Sequence, residues 1–483
     1  MVSAMILLAA SSLDSAVSLS EQAVTFSDYN YVNYVASSSR SVYFATTNGV
    51  IRYDIAEQRW KLPLTLDTDG ETNITRVWAE SFDDQLYLET STSLWEYSLA
   101  MDAWYPLTEL PDLTAQNQHL SRLNTLLNPP FGYNYTNDGY LIDKHGRSFA
   151  VSDILDDNSG LYWIGIWGYG PALAGSISGA IELLPFGLLQ RRVNAICADD
   201  SLLWVSGAVV EAGRTGLTGL NRHDFSSIYI ESGLDSYFPS YDVNCLAADS
   251  ERIFVGTNEG LLVIDKQRGD LIDHYTERTG LVDDNIISLC LLSDSLFIGS
   301  ATGLSLISIA SDSIRTYNVE ALDNRIIYDF QPTDEHLWIG SSAGALRLNR
   351  STGQLQRFTD PTSVLFGSVY DLDLSGDFLW FASDDGAVRL NLKTGEVEPF
   401  NERVRSRTGR AIAANETVAI LSSDDGMFII YHDRDTPITR ELTIADGLPS
   451  AQVFSLLMDG DYVWVGTDHG LTRFLWNNPR RVD

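Results

Sequence analysis

The chain is poor in cysteine and lysine and has no long apolar run. Its three cysteines, Cys197, Cys245 and Cys290, are odd in number, and no CxxC or His/Cys cluster accompanies them, so neither a disulfide framework nor a structural zinc site is supported. Each falls at an inward position of an apolar strand and reads as a buried free thiol. Only Lys61, Lys144, Lys266 and Lys393 are lysines, and Lys+Arg 32 against Asp+Glu 65 leaves a net charge of −33. Such a surface repels phosphate backbones and anionic membranes, so nucleic acid is a poor partner. Past the N-terminus no window approaches the ~18 consecutive apolar residues of a membrane span, and no transmembrane segment is expected.

Met1 to Ala10, MVSAMILLAA, is an apolar run followed by small residues through Ala16. It has the length and texture of a secretory h-region, although a basic n-region is missing and a frayed N-terminal segment is the alternative. Residues 1–17 are read as a signal peptide, which places the protein in the periplasm or outside the cell. The seven histidines are scattered without HxxxH or HExxH spacing. There is no GxSxG on a strand-turn-helix unit and no Gly-rich phosphate cradle. Metal, cofactor and catalytic residues are therefore not expected.

What the chain does have is a recurring phrase: Leu337-Trp338-Ile339-Gly340 with Gly344, Leu379-Trp380-Phe381-Ala382 with Gly386, and Val463-Trp464-Val465-Gly466 with Gly470. Weaker copies centre on Trp204, Phe254, Phe297 and Ala419. The central positions are 50, 43, 41, 42, 39 and 45 residues apart, the length of one four-stranded propeller blade. A second apolar strand precedes each phrase, and in six of the seven copies it starts 11 residues before the aromatic position. A fixed offset means a fixed hairpin. The turns between are rich in Asp, as at Asp249, Asp294 and Asp334, whose side chains close turns; none shows the DxDxDG pattern of a calcium loop.

Gly187-Leu188, Gly280-Leu281 and Gly447-Leu448-Pro449 each stand six residues before a first strand. The complete phrase, GL(P)-x-x-x-V…(L/V)-W-(I/V)-G-(T/S)-x-x-G-(L/A), resembles the two-component regulator propeller repeat from about Phe186 to the C-terminus. That resemblance implies seven-bladed propellers, commonly periplasmic, that act as ligand-sensing or scaffolding modules. Fainter copies lie at Tyr43, Tyr87, Tyr133 and Trp163, while Asp112 to Asn128 loses strand alternation. The expected fold is all-β: a seven-bladed β-propeller over residues 179–483, preceded over 18–178 by about four degenerate blade-like repeats. Ile181 to Pro185 is expected to supply the outer strand that the last blade lacks. The alternative is one larger or irregular ring closed by the segment around Ala23 to Phe26.

In a propeller, the loops from second to third strand and from each fourth strand to the next first strand emerge together around the channel mouth. The candidate ligand-binding residues in those loops are Arg192, Asp242, Asn258, Glu259, Asn285, Arg325, Asp384, Asp385, Arg410, Asp424, Gln452, Asp468 and His469. Polar residues there suit a solvated channel, and the same set would hold a small polar ligand. The segment Ile166-Trp167-Gly168-Tyr169-Gly170-Pro171 departs from the repeat. Trp167 and Tyr169 either stack on a sugar ring or pack between the N-terminal repeats and the ring, and the adjoining junction favours packing.

The reading is a non-catalytic, exported propeller that binds a partner protein or a polar, glycan-like ligand as an envelope scaffold or sensor subunit. Related repeats often precede a membrane helix and a histidine kinase; with neither in the sequence, sensing would have to pass through another subunit. A polysaccharide lyase or hydrolase on the same scaffold is the alternative.

Overall fold

The computed structural model describes residues 23–477 apart from 67–72, 81–84, 99–100, 102, 112–117, 121–126, 209–213, 232–241, 318–321, 323, 360–362, 401–408, 424 and 434–435, with only the backbone of Ala445. Asp424, the apolar run at Met1–Ala10 and most of the stretch from Asp112 to Asn128 lie outside the described residues. Among the described residues no helix is long and apolar enough to cross a membrane.

Every copy of the recurring phrase is the second strand of a four-stranded antiparallel sheet: Leu202–Ser206, Arg252–Thr257, Ser295–Ser300, His336–Ser341, Phe378–Ser383, Val418–Ser423 and Tyr462–Thr467. Below, each sheet is named by its central residue. The second strands are near-continuous apolar runs because both of their faces are covered, and Trp204, Trp380 and Trp464 are all 0% exposed. Each run ends in Thr or Ser, and in six of the seven its hydroxyl donates to a glycine carbonyl. Thr257 does so to Gly260 at 2.8 Å, Ser341 to Gly344 at 2.7 Å and Thr467 to Gly470 at 3.0 Å. The turn holds Gly470 at φ 134°, where a Cβ would collide with the Phe26 carbonyl.

The first strands, Ala195–Asp199, Val243–Ala248, Ile286–Leu292, Ile327–Pro332, Val369–Ser375, Ile412–Ala414 and Val453–Asp459, lie against one another in this order, and the last meets the first. Five of them share a bulge: the register slips after Val243, Ile286, Ile327, Val369 and Val453. This leaves Asn244, Ile287, Tyr328, Tyr370 and Phe454 out of the ladder, and a bulge of this kind re-aims the side chain it carries.

The strand completing the Trp464 sheet is Ala23–Phe26, paired antiparallel with Gly470–Leu475. The expectation that Ile181–Pro185 fills this place is wrong: Ile181–Leu183 pairs with Gly170–Gly175, the strand just before it. Short loop closure favours that local hairpin, and the place itself fits Phe26. The Phe26 ring is 0% exposed, with ring centres 6.2 Å from Trp464 and 5.1 Å from Phe225.

Among the described residues the N-terminal portion holds three sheets in place of about four repeats. Two are four-stranded, around Tyr43 and Tyr87; the third carries Trp163 and takes up the expected Tyr133 repeat as an added hairpin, Asn134–Tyr135 with Tyr140–Ile142. The 30 residues between Tyr133 and Trp163 are too few for two blades. Within this portion the first strand of the Tyr43 sheet, Val32–Ser37, lies between Ile74–Ala79 and Ser148–Asp156. One apolar core then runs from Phe44 and Trp163 through Phe186 to Leu203, Val205 and Trp464. Phe186 stacks on Tyr29 at 5.8 Å and meets Trp60 at 4.7 Å, so both portions share a packed aromatic joint.

Candidate functional site

Two successive bulges bring Tyr328 and Tyr370 together, ring centres 5.0 Å apart and planes tilted by 50°. The Tyr370 hydroxyl donates to Asp384 at 2.8 Å, and the Ser368 N–H donates to the other Asp384 oxygen at 2.8 Å. Above Tyr370 stands the Arg410 guanidinium, 5.6 Å from the ring centre. Two half-buried aromatic faces, an acid and an arginine therefore converge from the Trp338, Trp380 and Ala419 sheets. Burial raises both tyrosine pKa values; the Asp384 charge adds to this, while Arg410 opposes it at Tyr328. Both phenols thus stay protonated as donors at neutral pH. Stacking surface combined with charge-assisted hydrogen bonding is the chemistry that grips a polar ring.

Of the residues named from the sequence, Asp384 and Arg410 belong to this cluster, with Asp385 exposed in the turn next to it. Arg192 lies over Phe454, the bulged residue of the Trp464 sheet, at 4.3 Å. Asn285 accepts from Asn244, another bulged residue, at 3.4 Å. Asp468 pairs with His469 at 3.0 Å. Asn258, Glu259, Arg325 and Gln452 are exposed and Asp242 is half-buried. Tyr328 and Tyr370 were not among the candidates, although an aromatic directly after the opening residue of two consecutive first strands was there to be read in Ile327-Tyr328-Asp329 and Val369-Tyr370-Asp371.

Directly after these tyrosines lie Asp329 and Asp371, whose carboxyls hydrogen-bond one another. Asp329 accepts the Leu372 N–H at 3.0 Å, Asp371 accepts the Ile412 N–H at 2.7 Å, and Asp373 accepts the Ala414 N–H at 2.7 Å. Each carboxylate thus tethers its own first strand to the next. These residues are half-buried, on first strands that lie against one another. Desolvation pushes Asp329 and Asp373 up to about 6 and Asp371 well above the carboxylate range, so the Asp329–Asp371 pair shares a proton.

Trp167 is 41% exposed and stands edge-on to Tyr31, ring centres 5.2 Å apart. Tyr169 is buried at the joint between the two portions of the chain. Its ring carries the Arg214 guanidinium at 4.1 Å and its carbonyl accepts from Arg214 at 2.9 Å. Arg214 also clamps Glu231 through bonds of 3.1 and 2.6 Å, and Arg147 of the N-terminal portion reaches the same carboxylate. Burial alone would raise Glu231, but the two arginines outweigh it and hold the carboxyl at about 2.

A series of four-stranded antiparallel sheets, each laid against the next by its first strand, is the β-propeller repeat fold. Among solved structures the chain is similar to PorZ, an essential bacterial surface component of the type-IX secretion system of Porphyromonas gingivalis, with 16% identity, a TM-score of 0.50, and coverage of 92% of this chain and 74% of that one. It is also similar to an extracellular domain assigned to a hybrid two-component system of B. thetaiotaomicron, with 15% identity, a TM-score of 0.48, and coverage of 93% and 70%. No family model and no curated protein matches the sequence. At such identities the likeness bears on the fold.

Proposed function

We propose that the seven sheets from Ala195 to Leu475, in the 179–483 portion, form one closed seven-bladed ring sealed by Ala23–Phe26 from outside that portion, and that its mouth binds a polar, glycan-like ligand or a partner's polar loop without turning it over. The paired Tyr328 and Tyr370 rings, with Asp384 and Arg410 beside them, carry this reading. Sugar rings offer an apolar face to aromatics and hydroxyls to charged side chains, and this cluster has both. The remaining loop residues, among them Asn258, Glu259, Arg325 and Gln452, serve as rim contacts. The apolar Met1–Ala10 run supports export to the periplasm or beyond, and the surface location of PorZ is in keeping with it.

The enzyme alternative needs a proton donor within reach of a substrate. The carboxyls whose pKa is raised, Asp329, Asp371 and Asp373, are engaged with backbone N–H groups of neighbouring strands, which favours a structural role. A glycan array probed with wild type and with Tyr370→Ala tests the proposal. The expected result is a defined set of glycans retained by wild type and lost by the variant, and no chain shortening when those glycans are incubated with the protein. Identical profiles for the two proteins, or product release, would overturn it.

A further inference from the structure

A cavity of about 170 Å³ lies where the Ala23–Phe26 strand, the Tyr43 sheet and the Tyr87 sheet meet. None of the mouth residues lines it. Its walls are fixed by the backbone: Val50 and Leu64 exchange N–H···O bonds of 3.0 and 2.8 Å, and the Lys61 N–H donates to the Arg52 carbonyl at 2.9 Å. Tyr97 and Trp104, from adjacent strands, stand 4.9 Å apart between ring centres. Leu62, Pro63 and Leu64 add apolar surface.

Among the described residues, Arg52 is the one charged residue in this lining. Its Nε–H is closed off from solvent and meets no acceptor among the described residues. The acids further along the same hairpin are already engaged: Asp54 by Arg40 at 3.5 Å and Lys61 at 3.6 Å, and Glu57 by Lys61 at 2.6 Å. A guanidinium lining the cavity together with two aromatic rings is complementary to an anion joined to a flat apolar body. The volume sets the size: a cavity of about 150 Å³ accommodates benzene.

We propose that this cavity is a second ligand site, taking a small carboxylate with a flat apolar body, its carboxylate on Arg52 and its body against Tyr97 and Trp104. It is independent of the mouth, and either site stands if the other fails. Benzoate serves as the probe and benzamide as its uncharged counterpart, each titrated calorimetrically into the full chain. Benzoate is expected to fill one site and to bind about tenfold more tightly than benzamide. Arg52→Gln is expected to remove that preference, while Arg410→Gln, at the mouth, leaves it intact. Should Arg52→Gln fail to fold, the comparison of the two probes on Arg410→Gln, which lacks the guanidinium of the mouth, decides. Equal affinity for the two probes, no benzoate uptake by wild type, or a folded Arg52→Gln protein that still prefers benzoate would overturn the proposal.

Discussion

Glu231 takes the charge of two arginines that come from opposite sides of the joint, and with Arg214 it is nearly sealed, their side chains being 9% and 4% exposed. Removing one member of such a pair leaves the other charge buried and uncompensated. Glu231→Ala should therefore cost about 3–5 kcal/mol of unfolding free energy, measurable by urea denaturation. The shared proton of Asp329 and Asp371 acts in the opposite sense. Because the folded chain raises these carboxyl pKa values, it binds protons more tightly than the unfolded chain, so their contribution to stability falls as pH rises from about 4 through 6 and beyond. Asp371→Asn keeps an acceptor for the Ile412 N–H and supplies a permanent donor to Asp329. The variant should gain on wild type as pH rises from 4 to 8, by on the order of 1–3 kcal/mol at the upper end. A gap between their melting curves that stays constant with pH would contradict this.

At the level of strands, the sequence was most legible where apolar runs are covered on both faces. The Trp338, Trp380 and Trp464 phrases mark second strands because neighbouring sheets bury them from both sides, and the Thr/Ser-x-x-Gly ending is visible because one turn geometry demands it. Edge strands leave no such trace. Ala23–Phe26 and Ile181–Leu183 are four and three residues long, and nothing local tells which completes the last sheet; the choice rests on the fit of Phe26 beside Trp464. Phe26→Ala should consequently cost about 3–5 kcal/mol, as loss of a fully buried aromatic does, and, if the proposed ring is closed, should lower the melting midpoint of all seven sheets together. Tyr328 and Tyr370 escaped notice for a related reason: a bulge is set by the neighbouring strand's register and cannot be counted off a two-residue alternation. Arg214 was equally hidden, since it hydrogen-bonds Asn30 across 184 positions of chain.

Taken as one body, the molecule has the problem of every repeat array, in which each sheet offers two apolar faces and neither terminal sheet can shelter both. The seven C-terminal sheets meet it by bringing the last first-strand back to the first. Of the three N-terminal sheets, the Tyr43 and Trp163 sheets share the core that runs through Phe186, and the Tyr87 sheet packs on the Tyr43 sheet through Ile74, Val77, Leu86 and Leu88. The Trp163 sheet, at one end of that arc, packs its far face against the added hairpin through Leu141, Tyr133 and Tyr135. Closure of the proposed ring therefore depends on a contact between distant parts of the chain, in which the Thr25 and Thr472 hydroxyls lie 2.9 Å apart across 447 positions. These two residues are directly opposed in the ladder, so cysteines placed at both should bridge. The decisive measurement is peptide mapping of the Thr25→Cys/Thr472→Cys protein after mild oxidation. The account predicts a near-quantitative intramolecular disulfide between these positions and a higher melting midpoint. Two thiols that stay reduced in the folded monomer would contradict the closed ring.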